Sequence, residues 1–164
     1  MSQQQSAISS ILFVCMGNIC RSPAGENVMR KLLEDASLAN EIRCDSAGTI
    51  GYHTGHPPDS RMILAGRKRG LPMPGSARRV TREDIDVFDL ILAMDDDNYA
   101  ELIKLSTEHN HHKIKRFCEY CVVYSDSEVP DPYYGEAADF EHVLNLLEDG
   151  CAQILKEIRN SHNS

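Results

Sequence analysis

Ile11-Leu12-Phe13-Val14-Cys15-Met16-Gly17-Asn18-Ile19-Cys20-Arg21-Ser22-Pro23 is the stretch on which the architecture turns. Its first four residues are apolar and β-favouring, with no polar alternation. That is the pattern of a strand covered on both faces of a parallel sheet. The run stops at Cys15, and Cys15-Met16-Gly17-Asn18 reads as a tight loop. Ser22-Pro23 reads as a helix start, with proline at the first helical position, where its missing N–H costs nothing. Val28, Met29, Leu32, Leu33 and Ala36 then recur at helical spacing and make one face apolar.

The alternation of strand and helix continues outward from there. Ile42 to Ser46 is a second candidate strand, ending in Ala47-Gly48. Asp59 to Arg69 reads as a helix closed by Gly70. Thr81-Arg82-Glu83-Asp84 resembles a capping box for a short helix. Leu90 to Met94 is a fully apolar strand. Asp95 to Leu105 is a helix with acidic residues in its first turn, where the helix dipole favours them. Lys113 to Phe117 is the last candidate strand. From Ala137 to Arg159, Phe140, Val143, Leu144, Leu147, Cys151, Ile154, Leu155 and Ile158 share one helical face. Gly150 weakens that helix by about 1 kcal/mol relative to alanine, and a bend is expected there. The predicted fold is α/β: an open, mainly four-stranded parallel sheet with helices on both faces, doubly wound. The 164 residues fit a single domain spanning 1–164, with residues 1–9 as a flexible tail.

Composition narrows the function. The chain carries 17 Lys and Arg against 25 Asp and Glu, a net charge of −8. An acidic surface argues against nucleic-acid binding, which needs a basic footprint. No apolar run approaches the ~18 residues of a membrane helix, and Met1 to Ser10 does not read as a signal peptide. A cytoplasmic location is expected, with the six cysteines (Cys15, Cys20, Cys44, Cys118, Cys121 and Cys151) reduced. An acidic protein that binds phosphate must gather positive potential locally.

Cys15 and Arg21 provide a place for that. In open α/β sheets ligands bind at the carboxyl ends of strands, and Cys15 stands at such an end. Cysteine, five residues and arginine span the turn from strand to helix. A loop that runs into a helix turns backbone N–H groups inward and cradles an anion. Gly17 and Asn18 tolerate unusual dihedrals. Arg21 offers a planar fork for two phosphoryl oxygens. The same positive field stabilises Cys15 as the thiolate, the nucleophilic form.

The run Val14-Cys15-Met16-Gly17-Asn18-Ile19-Cys20-Arg21-Ser22-Pro23 resembles the phosphate loop of the low-molecular-weight protein tyrosine phosphatases. The likeness extends from Ile11 to about Arg159. It includes Asp45-Ser46-Ala47-Gly48-Thr49, Gly55-His56-Pro57-Pro58-Asp59-Ser60-Arg61 and Ala77-Arg78-Arg79-Val80-Thr81. It continues through Phe88-Asp89-Leu90-Ile91-Leu92-Ala93-Met94-Asp95 and Asp131-Pro132-Tyr133-Tyr134-Gly135.

The resemblance implies a phosphotyrosine phosphatase I-like fold and a set of roles. Cys15 is the nucleophile, Arg21 the phosphate clamp and Asp131 the general acid. Met16, Gly17, Asn18, Ile19, Cys20, Arg21 and Ser22 are the phosphate-binding loop. Ser22 supports the sulfur, Asn18 braces the loop with Ser46 among its partners, and Tyr52, Tyr133 and Tyr134 wall the pocket. A histidine that joins the bracing network in some relatives falls near Gly75 here, so a slightly less rigid loop is expected. Tyr52 stands where some relatives have tryptophan, which makes that wall narrower. Phosphotyrosine-bearing proteins are the implied partners, inorganic phosphate is product and inhibitor, and the protein is expected to be a monomer. No cofactor, metal, nucleic acid or membrane is implied.

Other readings stay open at this level. An arsenate reductase on the same scaffold would need resolving cysteines, for which Cys118 and Cys121 qualify superficially. A protein-arginine phosphatase is disfavoured by Ile19, where such relatives tend to carry threonine. A non-catalytic phosphate-binding adaptor is disfavoured because Cys15, Arg21 and Asp131 are all present. Cys20 shares the loop with Cys15, and a reversible Cys15–Cys20 disulfide is expected on oxidation. Cys118 and Cys121 lie near His109, His111 and His112, but a structural zinc is not expected. Arg78 and Arg79 read as partners for the protein's own acidic surface.

Overall fold

The computed structural model describes the backbone of residues 7–162. Four strands make one parallel sheet in the order β2-β1-β3-β4: β1 Ser10–Cys15, β2 Arg43–Gly48, β3 Leu90–Ala93 and β4 Ile114–Arg116. Five α-helices connect or follow them: α1 Arg21–Asp35, α2 Ser60–Arg67, α3 Arg82–Val87, α4 Asp96–Leu105 and α5 Ala137–His162. The expected architecture is thus present. Residues 1–6 of the expected tail lie outside the described residues. Ile8 packs on the core, and Ser9 donates from its N–H and hydroxyl to Asp89 Oδ2 at 2.8 and 2.9 Å.

Strand β1 explains the two-sided packing. Successive side chains of a strand point to opposite faces. Ile11, Phe13 and Cys15 join a core with α1, α2 and α5, whereas Leu12 and Val14 join one with α3 and α4. A strand used on both faces has no room for polar residues, hence its continuous apolar run. The chain moves from β1 to β2 on one side, then to β3 on the other. The carboxyl ends of β1 and β3 therefore flank a topological switch point, where open α/β sheets bind ligands.

Local chemistry sets the element ends. Thr81 and Asp84 form the expected reciprocal capping box. Asp59 caps α2 and Asp95 caps α4, each accepting an N–H from the first turn. The last strand ends at Arg116 rather than Phe117, because Phe117 opens a short 3₁₀ turn, Phe117–Tyr120.

The start of α1 differs from expectation. The helix begins at Arg21 with Cys20 as its cap residue, so Ser22 is not the cap and Pro23 is the third helical residue. Proline is still tolerated there, since the first N–H groups of a helix have no intrahelical acceptor.

Gly150 lies inside α5, which runs as one 26-residue helix. A Cβ there would collide with Phe117 Cζ. On α1, a Cβ on Gly25 would stand 2.7 Å from Phe13 Cδ1, and the Phe13 and Phe117 rings are 6.3 Å apart. Gly25 of α1 thus seats the Phe13 ring, and Gly150 of α5 the Phe117 ring. Losing a ring of this kind costs about 3–5 kcal/mol.

Candidate active site

The loop after β1 is fixed from outside. The carbonyls of Cys15, Met16 and Ile19 accept N–H groups from Thr49, Ile50 and Asp59 at 2.9, 3.1 and 2.8 Å. A loop whose carbonyls are held outward presents its own N–H groups to the concave side, the arrangement that binds an anion. Asn18 takes the left-handed conformation at φ 58°, as its residue type allows. Gly17 does not take that conformation. Its missing side chain makes room for His53, whose Cδ2 would be 3.0 Å from a Cβ at that position.

Cys15 Sγ lies at the base, 3% exposed. It receives the Asn18 N–H at 3.3 Å and pairs with Ser22 Oγ at 3.0 Å. Asn18 Nδ2 donates to Ser22 Oγ and to Ser46 Oγ at 2.8 and 3.0 Å, and its Oδ1 accepts the Arg78 N–H at 3.0 Å. Ser46 in turn donates to Glu26 Oε1 at 2.6 Å. Glu26 is held by Arg30 at 2.7 Å. Burial pushes the Glu26 carboxyl above the usual range, and the Ser46 hydroxyl and Arg30 pull it back only in part. The bracing network is therefore complete without a histidine at Gly75. Glu26 terminates it, and the sequence reading missed that residue.

Arg21 is buried at the mouth of the same loop. Its Nη1 donates to Asp95 Oδ2 at 2.6 Å and to the Val129 carbonyl at 3.0 Å, while its Nη2 stands 3.8 Å from Asp131 Oδ2. Burial works against the guanidinium charge, but the Cys15 sulfur and the Asp95 and Asp131 carboxylates outweigh it and raise the Arg21 pKa. Asp95 was not singled out from sequence as a site residue; only its place in the Phe88–Asp95 match pointed to it.

Asp131 is the exposed member, with its side chain 42% accessible. Its Oδ1 accepts the Tyr133 N–H at 3.1 Å, closing a turn around Pro132. Tyr133 is gripped from behind by the Arg61 guanidinium, 5.4 Å from the ring centre. Arg61 is itself fixed by Asp59 through contacts of 3.0 and 2.9 Å. Tyr133 and Tyr134 meet edge to face at 5.0 Å, as do Tyr52 and His53 at 4.8 Å.

The resulting pocket is about 300 Å³, with Cys15 and Arg21 in its lining, Asp131 on its side, and Ile50, Tyr52, His53, Tyr133 and Tyr134 as walls. Ile50 and His53 were not anticipated. Ile19 and Cys20 also line it. Ser22, Asn18 and Ser46 act from behind it. Burial and the Asp59 carboxylate keep the Cys20 thiol far above its ordinary pKa.

Arg78 lies outside the pocket, bridging Asp45 and Asp84 at 3.0 and 2.9 Å. Cys118 and Cys121 do not line the pocket either. Among the described residues no group of three or more His, Cys, Asp or Glu side chains is placed to hold a metal, and no helix is long and apolar enough to cross a membrane.

The arrangement can bind a tetrahedral dianion against N–H groups and a guanidinium, with a sulfur beneath it and a carboxyl beside it. Residues 10–164 match the family model described as low molecular weight phosphotyrosine protein phosphatase. The human protein of that name is 40% identical over 156 residues, covering 93% of this chain and 98% of the relative. The low-molecular-weight protein-tyrosine-phosphatase YfkJ of Bacillus subtilis is 41% identical over 151 residues, covering 92% and 96%. A crystal structure of a protein tyrosine phosphatase from Entamoeba histolytica superposes with a TM-score of 0.92 at 42% identity, covering 94% of this chain and 99% of that one.

Proposed function

Because the chain belongs to the low-molecular-weight phosphotyrosine protein phosphatase family, we propose that it hydrolyses phosphotyrosine in proteins through a cysteinyl-phosphate on Cys15. The observation that carries this reading is the meeting of Cys15, Arg21 and Asp131 in one aromatic-walled pocket. A sulfur at the base of such a pocket reaches a phosphoryl group only at the end of a long flat side chain.

The steps follow from the contacts. Cys15 Sγ attacks phosphorus as the bond to the tyrosine oxygen breaks, and Asp131 gives that oxygen its proton. General-acid help of this kind is worth roughly 10²–10⁴-fold. Arg21 and the loop N–H groups hold the equatorial oxygens, the electrostatic part of the catalysis. Asp131, now a carboxylate, takes a proton from water as the water attacks the cysteinyl-phosphate. Ser22 Oγ, 3.0 Å from the sulfur, then donates to the departing thiolate. Splitting the reaction in two is the usual gain from a covalent intermediate.

Steady-state hydrolysis of a series of aryl phosphates tests the assignment. Cys15→Ser is expected to abolish turnover. Asp131→Ala is expected to slow it more as the leaving group becomes more basic. An active Cys15→Ser enzyme would overturn the reading, and faster hydrolysis of phosphoarginine than of phosphotyrosine peptides would overturn the substrate.

We also propose a reversible Cys15–Cys20 disulfide, since both cysteines are buried and line the same pocket. Irreversible Cys15 sulfonate without a disulfide, seen by mass spectrometry after mild peroxide, would reject it.

A further inference from the structure

The Cys118-Glu119-Tyr120-Cys121 segment plays no part in the chemistry above, yet it is built as a pair. Cys118 lies inside the 3₁₀ turn Phe117–Tyr120 and Cys121 caps it, with the Cys121 N–H on the Cys118 carbonyl at 3.2 Å. In a 3₁₀ turn, side chains three residues apart are eclipsed, and a rise of ~2.0 Å per residue sets their Cα atoms about 6 Å apart. A disulfide spans Cα separations of about 4.4–6.8 Å. The Cys121 thiol reaches the Leu146 carbonyl at 3.6 Å. Both cysteines are half-buried rather than enclosed, so a small oxidant reaches them.

The surroundings make the two sulfurs unequal. The neighbouring Cys121 lowers the Cys118 pKa, against burial and the Asp126, Glu128 and Asp149 carboxylates. Cys121 is pushed the other way: the neighbouring Cys118 and burial raise its pKa, and its thiol donates to the Leu146 carbonyl at 3.6 Å. A thiolate-forming sulfur beside a protonated one is the arrangement of an attacking and a resolving cysteine.

We propose that Cys118 and Cys121 form a second oxidisable site, a dithiol that takes a hydroperoxide and closes to an intramolecular disulfide independently of Cys15. The Cys118 thiolate attacks one peroxide oxygen, the O–O bond breaks, and hydroxide leaves and is protonated to water. Cys118 is then a sulfenic acid. Cys121 sulfur attacks Cys118 sulfur, the S–O bond breaks, and the Cys121 proton leaves with the hydroxyl as a second water. Two thiols and one peroxide give one disulfide and two waters. A dithiol reductant returns the pair by thiol–disulfide exchange.

Glu119 lies between the two cysteines and makes the test direct. Full-length reduced protein is treated with graded hydrogen peroxide, blocked with N-ethylmaleimide, and cut with trypsin and a glutamate-specific protease. Peptides Phe117–Glu119 and Tyr120–Glu128 are expected to remain joined, to separate on adding dithiothreitol, and to be joined equally in Cys15→Ser. Cys121→Ser is expected to leave Cys118 trapped as a sulfenic acid by dimedone. Cys118→Ser is expected to leave Cys121 unmodified. Recovery of both cysteines as maleimide adducts at peroxide levels that consume Cys15 would overturn the proposal. So would a cross-link from Cys118 to the Cys151 peptide. Neither result bears on hydrolysis at Cys15.

Discussion

Arg21 Nη1 lies 2.6 Å from Asp95 Oδ2, and the other oxygen of that carboxylate accepts the Asn98 N–H at 2.8 Å. One side chain at the end of β3 thus aims the arginine at the end of β1 and caps α4. The contact crosses the switch point of the sheet, so the clamp is assembled by topology rather than by neighbours in sequence.

Asp95→Asn separates the two duties. An amide keeps the cap but loses the charged bond to Arg21, which is worth about 1.5–3 kcal/mol. The expected result is a fall in kcat/KM of roughly 10–100-fold together with a lower Tm. Asp95→Ala loses the cap as well, at a further cost of about 1 kcal/mol in stability by chemical denaturation.

Ser22→Ala removes the hydroxyl beside Cys15 Sγ, which matters most when the sulfur departs from phosphate. A loss of about 1–3 kcal/mol in that step slows kcat by roughly 10–100-fold. KM is expected to fall in parallel, and stopped-flow traces to show a burst of phenol close to one per enzyme.

Asp149 holds the chain that leads towards Asp131. Its two oxygens accept the N–H groups of Val122, Val123 and Tyr124 at 3.0–3.2 Å. Burial raises its pKa, but these bonds win and the carboxyl titrates below its ordinary range. The folded state therefore binds this proton less tightly than the unfolded chain. The stabilisation is complete above about pH 4, the unfolded value, and is lost as pH falls through the lower folded value. Asp149→Asn is expected to lower Tm at neutral pH and to flatten the acid limb of a Tm-against-pH curve.

Gly150→Ala tests the seat of Phe117. In an exposed helix the change would stabilise by about 1 kcal/mol. Here the new methyl meets a ring held in the core, and overpacking costs about 1–3 kcal/mol. Urea denaturation is expected to show a net loss, and a gain in stability would refute the steric account.

What the sequence disclosed follows from the range of each interaction. The Cys15–Ser22 loop is local, so residue type and order announce it. Strand β1 is legible because burial on both faces leaves a mark on every residue. Asp95, Glu26 and His53 left no such mark, because each acquires its task from a partner elsewhere in the chain. A carboxylate that grips Arg21 looks, in sequence, like any other N-cap. The packing role of Gly150 was hidden for the same reason. Its cause is Phe117 on another element, whereas propensity knows only the helix.

Gly25, Phe13, Phe117 and Gly150 together act as a gauge block for the domain. Each ring fills the space its glycine leaves free, and the two rings lie 6.3 Å apart, so neither can drift by small steps. A larger residue at either glycine demands a smaller one at the facing ring, and a smaller ring leaves a void until its glycine grows. These four positions should change in pairs or not at all. Phe117→Leu would then be tolerated better with Gly150→Ala than alone. The strand that carries Cys15 inherits its position from this arithmetic of volumes, one layer beneath the chemistry.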